Sequence, residues 1–393
     1  MWFISILIAA LCCLIILYLT EKEPAPIIGI YKQKGKWYYL KNVIFRLLYL
    51  RKQLELKKAA SKEGHSKRPE MMEKMKPLSQ HEKAFDAVFF VAANKEGFYL
   101  ALGNERRKNG ITNGLCYIRV PGIGLLLSEK LPSTELKSSS TEEYYAAEGT
   151  QIQAIKPMEK WRIRYHGKMY HQSDKTKVFD VKFDADWSSE FPHFDYEKDL
   201  HPSAIARAIS RETWTREYFK SLEEAHQSHY EQIGHLKGSL IVNGEKRNIL
   251  SQSFRDHSFG NKRDWELMHR YAFHIIFLRD GSSVVVAVVC QPSTASWMEM
   301  GFICSAEGQI EPIEWCDLEL YRHGEGGTPP TDYAFQYSAG GRTRLLQVKV
   351  VDIAEHRVNE AHMVERFVEV RDDGMMGWGV SEWHYHHKLL TNK

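Results

Sequence analysis

A chain of 393 residues, 43% hydrophobic and 26% charged with a formal net charge of only +3, has material for two globular domains and lacks the bulk basic charge of a nucleic-acid binder. Cys12 and Cys13 lie inside the first apolar run. The remaining Cys116, Cys290, Cys304 and Cys316 form neither a disulfide framework nor a paired metal-binding spacing, so free thiols are expected and no metal or other cofactor.

The first element in chain order is the uncharged run from Trp2 to Leu19, whose roughly 18 positions at about 1.5 Å each nearly match a hydrocarbon core of about 30 Å. A cleavable signal peptide would need a basic start and a small-residue cleavage site. Thr20-Glu21-Lys22-Glu23 offers none, so residues 1–20 are expected to be an uncleaved transmembrane anchor. Lys32, Lys34, Lys36, Lys41, Arg46, Arg51, Lys52, Lys57 and Lys58 follow. The positive-inside rule then predicts a single-pass membrane protein with its soluble part in the cytosol; the organelle stays open, the endoplasmic reticulum or another endomembrane being candidates. The absence of an Asn-x-Ser/Thr sequon is consistent with that side.

Residues 21–80 read as a basic juxtamembrane helix and linker. Within them Asn42 to Lys58 carries an apolar face (Val43, Ile44, Leu47, Leu50, Leu54) flanked by Arg and Lys, which suits a helix lying in the bilayer interface. The same pattern would serve a helix packed on the soluble part. Lys62 to Lys76 is charged with little apolar content and reads as linker.

From His81 the pattern changes to short apolar runs between Gly-containing turns. Ser239 to Val242 turns at Asn243-Gly244 and returns through Lys246 to Leu250. Tyr271 to Leu278 turns at Asp280-Gly281 and returns as Ser283 to Val289, apolar enough to be buried on both faces. Further strands are expected at Gly97–Leu102, Leu115–Val120, Trp161–Tyr165, Val178–Phe183, Gly301–Ser305, Leu345–Val351 and Val364–Val370. Pro202 to Gln232 is the exception, with Ile205, Ile209, Trp214, Tyr218, Leu222 and Ala225 at helical spacing. The organisation predicted is a β-domain over 81–200, a connecting helix over 201–232 and a second β-domain over 233–390.

The densest polar cluster runs from Ser253 to Trp265, preceded by Tyr230-Glu-Gln-Ile-Gly-His-Leu-Lys-Gly238. Asp256 and His257 are candidates for a catalytic acid–base pair, Arg263 for a bidentate carboxylate holder and Trp265 for the wall of an apolar pocket. The alternative is structural: Arg255, Asp256 and Arg263 as a buried ion-pair network bracing a corner between strands.

The string RDHSFGNKRDW after YEQIGHLKGSLIVNGE resembles the RDHSWG-x-R-x-W signature of the carotenoid hydratase and AttH-type lipocalin-like superfamily. More closely still, it is similar to animal proteins labelled phosphoenolpyruvate synthase-like. The resemblance extends through Gly301-Phe-Ile-Cys-Ser-Ala-Glu-Gly-Gln and Gly377-Trp-Gly-Val-Ser-Glu382, covering about His81 to His387. Asp256, His257, Arg263 and Trp265 match residue by residue, while Phe259 stands where Trp is usual. The resemblance implies a mainly β fold of tandem lipocalin-like β-barrels, here with a connecting helix and preceded by the N-terminal transmembrane helix. It also implies an apolar cavity at or near the barrels' junction and acid-promoted hydration, cyclisation or isomerisation of isoprenoids. The phosphoenolpyruvate label does not transfer, because the chain has no Gly-rich phosphate loop and no second phosphotransferase module.

Three smaller groups complete the reading. His384 and His386 alternate to one side of a strand beside His387, but no carboxylate or Cys at matching spacing completes a metal site. His274, with His269 at the start of the same strand, and Glu382 are candidate substrate-binding residues; a satisfied core histidine and a strand-end salt bridge are their structural counterparts. Two functions follow: a membrane-anchored enzyme in which an acid such as Asp256 protonates an apolar isoprenoid or lipid-like substrate, or a non-catalytic lipid carrier whose charged signature braces the fold. A closed scaffold without a cavity is the third. The bilayer and an apolar small molecule are the expected partners, and nucleic acid is not.

Overall fold

The computed structural model describes residue 20 and residues 22–63 and 69–386. The expected anchor at Trp2–Leu19 and the His387 position lie outside the described residues. Among the described residues no helix is long and apolar enough to cross a membrane.

Among the described residues, two helices, the first of several turns and the second of about one, lie between Tyr38 and the first strand: α1 (Tyr38–Glu63) and α2 (Pro69–Glu73). The strands then run β1 (Phe85–Ala93), β2 (Tyr99–Arg106), β3 (Ile111–Val120), β4 (Gly124–Ser128), β5 (Glu135–Lys137), β6 (Tyr145–Ala147), β7 (Thr150–Lys156), β8 (Lys160–His171), β9 (Asp174–Ser188) and β10 (Phe194–Asp195). After α3 (Pro202–Arg211) and α4 (Arg216–Glu224) come β11 (Ser228–Val242) and β12 (Glu245–Gly260). The remainder is β13 (Arg270–Leu278), β14 (Ser283–Gln291), β15 (Ala295–Cys304), β16 (Ile310–Cys316), β17 (Asp332–Ala339), β18 (Arg342–Val358), β19 (Ala361–Asp372) and β20 (Met375–His386).

Pairing follows chain order in both halves. β13 to β20 close on themselves as an eight-stranded antiparallel barrel. In the first half β1, β2, β3, β4, β8, β9, β11 and β12 form a ring of the same meander type, closed by β12 against β1, with β5, β6, β7 and β10 on its edges. Period-two alternation sorts the side chains. On β8, Trp161, Ile163 and Tyr165 enter the core of barrel 1, while Arg162 faces out and meets Asp184 and Asp186 of β9 at 2.6 and 2.7 Å.

The apolar Tyr271–Leu278 and Ser283–Val289 runs are strands buried on both faces for a visible reason. Ile276, Val284 and Val286 fill barrel 2, whereas Ile275, Phe277 and Val285 join a third core between the barrels. There Phe254 packs on Phe273, Phe194 stacks on Phe302 at 4.7 Å, and the Tyr99 hydroxyl donates to the Val368 carbonyl. Cys116, Cys290, Cys304 and Cys316 are free and buried.

Three boundaries differ from expectation. The long helix over 201–232 is two short ones: Glu212 ends α3 and is fully buried, held by Lys32 and Ser296, and Thr215 caps α4 through the Tyr218 amide. The second ring begins at Arg270 and not at Ile233, because β11 and β12 complete the first ring. The linker contains α2, whose Met72 and Glu73 are buried; its charged composition concealed an acid that has a partner inside barrel 1.

Candidate functional site

β11 and β12 leave the Asn243-Gly244 turn with both turn residues at positive φ, as a two-residue hairpin requires, and stay in register to the far end. Tyr230 thereby faces His257, Glu231 faces Asp256, and Gln232 faces Arg255. Successive side chains point to opposite faces of a sheet, so the Arg255-Asp256-His257 triplet is split and Asp256 and His257 do not form the expected acid–base pair.

Arg255 and His257 point into barrel 1. The Arg255 guanidinium lies 3.0 Å from Glu73 of α2, donates to Gln232 at 2.8 Å, and sits 5.0 to 5.5 Å from the ring centres of Trp187, Tyr230 and Trp161. Glu73 also accepts from the Tyr230 hydroxyl at 2.5 Å and Trp161 Nε1 at 2.6 Å. Burial would raise its pKa, but Arg255, His257 and Tyr230 outweigh that and hold it below the usual carboxylate range. His257 Nδ1 lies 2.7 Å from the Tyr230 hydroxyl and Nε2 lies 2.8 Å from Asp86, which also accepts from Tyr145 and Arg106. Burial likewise opposes ionisation of Asp86, and the His257 bond with its companions reverses it. The result is a continuous buried relay from Arg106 through Asp86, His257 and Tyr230 to Glu73 and Arg255.

Asp256 points out of the barrel. Its carboxylate is 3.4 Å from His229 Nε2, and Glu231, fully buried, is 3.2 Å from the same nitrogen. The Tyr196 ring stacks on His229 at 4.5 Å. Burial would lower the His229 pKa, but the Asp256 and Glu231 carboxylates beside it overcome that and lift it to about 9, so the imidazole is a cation at neutral pH. Glu231 moves the other way from an ordinary carboxylate: burial raises its pKa, and His229 only partly offsets that.

Both networks reach one cavity of about 280 Å³ at the mouth of barrel 1. Its lining joins Met71, Met72 and Lys76 from α2 and the turn after it, Asp195 and Glu197 near β10, Ser228, His229 and Tyr230 of β11, and Phe259 of β12. A second hollow of about 260 Å³, on the other flank of α2, is lined by residues including Glu70, Glu73, Tyr145 and Trp161.

The other expected site residues are dispersed. Arg263 bonds Glu105 and Ser258 and lies 3.8 Å over the Phe85 ring, so neither Arg255 nor Arg263 pairs with Asp256 in the bracing network considered from sequence. Trp265, on a 3-10 turn, stacks on His384, which stacks in turn on Tyr271. His274 lies inside barrel 2, 2.7 Å from the Tyr333 hydroxyl, and burial followed by the nearby Arg366 pushes its pKa down to about 3. Glu382 is on the outer face of barrel 2, bonded to Tyr271 and opposite the buried Glu365.

Glu73, Asp86, His229 and Glu231 were not singled out from sequence. For His229 and Glu231 a signal existed: counting outward from Asn243-Gly244 places His229-Tyr-Glu-Gln opposite Arg255-Asp-His-Ser. Glu73 and Asp86 arrive from outside the hairpin and leave no such trace.

Similar chain paths occur in solved structures. A protein described as an AttH from Nitrosomonas europaea superposes with a TM-score of 0.53 at 12% identity, covering 78% of this chain and 94% of that one. CghA with Sch210972 gives 0.50 at 8% identity over 82% and 96%, and kievitone hydratase from Nectria haematococca gives 0.48 at 12% over 79% and 93%. The fold is thus that of AttH-like tandem barrels. No curated protein matches the sequence. A family model does match, over residues 5–385, and the chain belongs to the family of unknown function DUF8627.

Proposed function

We propose that this chain is an enzyme of hydratase or isomerase type, moving a proton to or from carbon in an apolar isoprenoid or lipid-like substrate at the mouth of barrel 1. The observation that carries this reading is His229: it lines a cavity walled by Met71, Met72 and Phe259, and two carboxylates keep it charged. An imidazolium beside apolar walls is a proton donor where water competes poorly. In a hydration, His229 gives its proton to one alkene carbon and the cation forms on the other. Water adds to that carbon, and the proton it loses returns to the Glu231–Asp256 pair, which recharges His229.

The RDHSFG resemblance supports the same chemistry. We infer a kinship with the animal proteins labelled phosphoenolpyruvate synthase-like and carry no phosphotransfer from that label. Asp256 thus acts through His229, as a positioning residue and proton reserve.

The test is extraction of apolar molecules that copurify with the full chain, followed by incubation with fresh enzyme in oxygen-18 water or deuterated water. Gain of one labelled water, or of carbon-bound deuterium without it, that disappears in His229→Gln and falls in Asp256→Asn is the expected result. The same unaltered molecule with wild type and both variants would instead make the protein a carrier.

A further inference from the structure

Helix α1 is apolar on two opposite sides, and only one is covered. At 3.6 residues per turn Tyr38, Phe45, Tyr49 and Gln53 share a stripe. Tyr38 and Tyr49 are buried, Phe45 packs edge-on against Trp214, and Gln53 donates to the Lys198 and Leu200 carbonyls at 2.7 and 3.2 Å. The opposite stripe is Leu40, Val43, Leu47, Leu50 and Leu54, each between 37% and 63% exposed. Tyr39 and Leu48, still more than half exposed, widen it. A contiguous apolar stripe of this length on a folded protein marks a contact surface.

Charge identifies what it contacts. Arg46, Arg51, Lys52 and Lys58 are exposed along the helix, and Glu55 is the one acidic residue from Tyr38 to Lys58. A second copy docking through the same stripe would bring these cations together, which a self-complementary interface disfavours. Apolar side chains edged by cations instead match acyl chains beneath anionic headgroups. In the sequence, the uncharged run Trp2–Leu19 ends shortly before this helix.

We propose that α1 lies flat in the headgroup layer of an anionic bilayer with Leu40, Val43, Leu47, Leu50 and Leu54 buried in it. The covered side of the helix ties that surface to the cavity: the Tyr49 hydroxyl donates to the Glu197 carbonyl, Lys52 lies 3.8 Å from the Glu197 carboxylate, and Glu197 lines the cavity. The docked face therefore holds the mouth of barrel 1 at the membrane surface. The docking does not depend on the chemistry proposed above.

The experiment uses the full chain with Cys12→Ser and Cys13→Ser, the four described cysteines being buried. Leu47→Cys, or as control Lys246→Cys at the far end of barrel 1, is labelled with a nitrobenzoxadiazole dye. Labelled protein is reconstituted in phosphatidylcholine vesicles with or without phosphatidylserine, some carrying doxyl-lipid quencher. The label at 47 brightens and is quenched by the doxyl lipid, while the label at 246 reports water. Arg46→Glu with Arg51→Glu reduces the inserted fraction on phosphatidylserine vesicles, with roughly fivefold in partition for each basic side chain lost. A label at 47 that stays in water on phosphatidylserine vesicles overturns the proposal. A brightening that needs no lipid and grows with protein concentration also overturns it, and assigns the face to a second copy.

Discussion

Barrel 1 brings the carboxylate at its mouth from outside the ring, on α2, whereas barrel 2 takes Glu325 from the loop between β16 and β17. Each acid meets a fully buried arginine among aromatic rings: Glu73 with Arg255 at 3.0 Å, and Glu325 with Arg270 at 2.6 Å, where Tyr385 lies 4.6 Å away. Around Glu325 the network ends in His269 and the Tyr31 hydroxyl. Around Glu73 it continues through Tyr230 to a cavity wall. Barrel 2 also holds a third buried arginine, Arg366, between Tyr333 and Trp383, with Nε and Nη1 unpartnered and, among the described residues, no carboxylate paired with it. One architecture thus accommodates a buried guanidinium in two ways: paired with an acid, or enclosed by ring faces and a single carbonyl, that of Pro330.

Substituting both arginines by methionine breaks that comparison most sharply. Arg255→Met leaves Glu73 buried without its counter-charge and is expected to destabilise by about 3–5 kcal/mol, whereas Arg366→Met removes a charge that strands no acid and should change stability by less than about 1 kcal/mol. Urea unfolding followed by tryptophan fluorescence measures both. Equal losses would mean that the aromatic enclosure, and not the acid, carries the stability.

A smaller effect separates close packing between strands in the two barrels. A Cβ on Gly238 would lie 2.2 Å from the Asp184 carbonyl oxygen, and one on Gly379 would lie 2.0 Å from that of Ile275. Backbone is the obstacle in both, so a rotamer change cannot relieve it. Gly238→Ala and Gly379→Ala should each cost about 3 kcal/mol, by the same urea measurement. Gly244→Ala meets nothing within 4 Å, but its φ of +88° still strains alanine, so a loss of about 1 kcal/mol is expected there.

These residues also show what was legible beforehand. The Asn243-Gly244 turn was visible because glycine marks backbone constraint locally, whereas Gly377 and Gly379 stood out only through the resemblance. The β-branched run of β14 was visible because burial on both faces leaves no polar alternation. Site residues were legible only as a cluster, since the sequence places Arg255, Asp256 and His257 together and the pleat separates them. Glu73 could not be read at all: its partner lies far along the chain, and a lone glutamate in a charged stretch looks solvated. The single helix expected over 201–232 failed similarly, because Glu212, apparently on a polar face, is buried against Lys32 and Ser296.

Acid–base behaviour sharpens the contrast at the mouth of barrel 1. His229 has its pKa raised from an ordinary 6.5 to about 9 in the folded state, so the folded protein holds that proton more tightly than the unfolded chain. Its stabilisation is complete below pH 6.5 and is lost as pH rises through about 9. The loss should be about 2 kcal/mol, less than the full shift implies because the His229 side chain is partly open to solvent, and the raised pKa of Glu231 adds a decline of the same sign that begins at lower pH. Asp256→Asn should move this decline to lower pH, which histidine-resolved NMR titration reads directly. His274, held neutral in barrel 2, should show no titration between pH 5 and 9 in the same spectra.

The smallest expected effect concerns the carboxylate pair on the outer face of barrel 2. Glu365 stands opposite Glu382 across β19 and β20, fully buried, with no partner for either oxygen among the hydrogen bonds. Burial, and then the Glu382 charge, raise its pKa well above that of a free glutamate, which favours the neutral acid. Gln is nearly isosteric with that neutral acid and adds no charge beside Glu382. Glu365→Gln should therefore change stability at pH 7 by less than about 1 kcal/mol, while Glu73→Gln, which removes a charge that Arg255 requires, should cost about 3 kcal/mol. If Glu365→Gln proved as costly as Glu73→Gln, Glu365 would have to be ionised against a cation, and the two buried acids would no longer differ in kind.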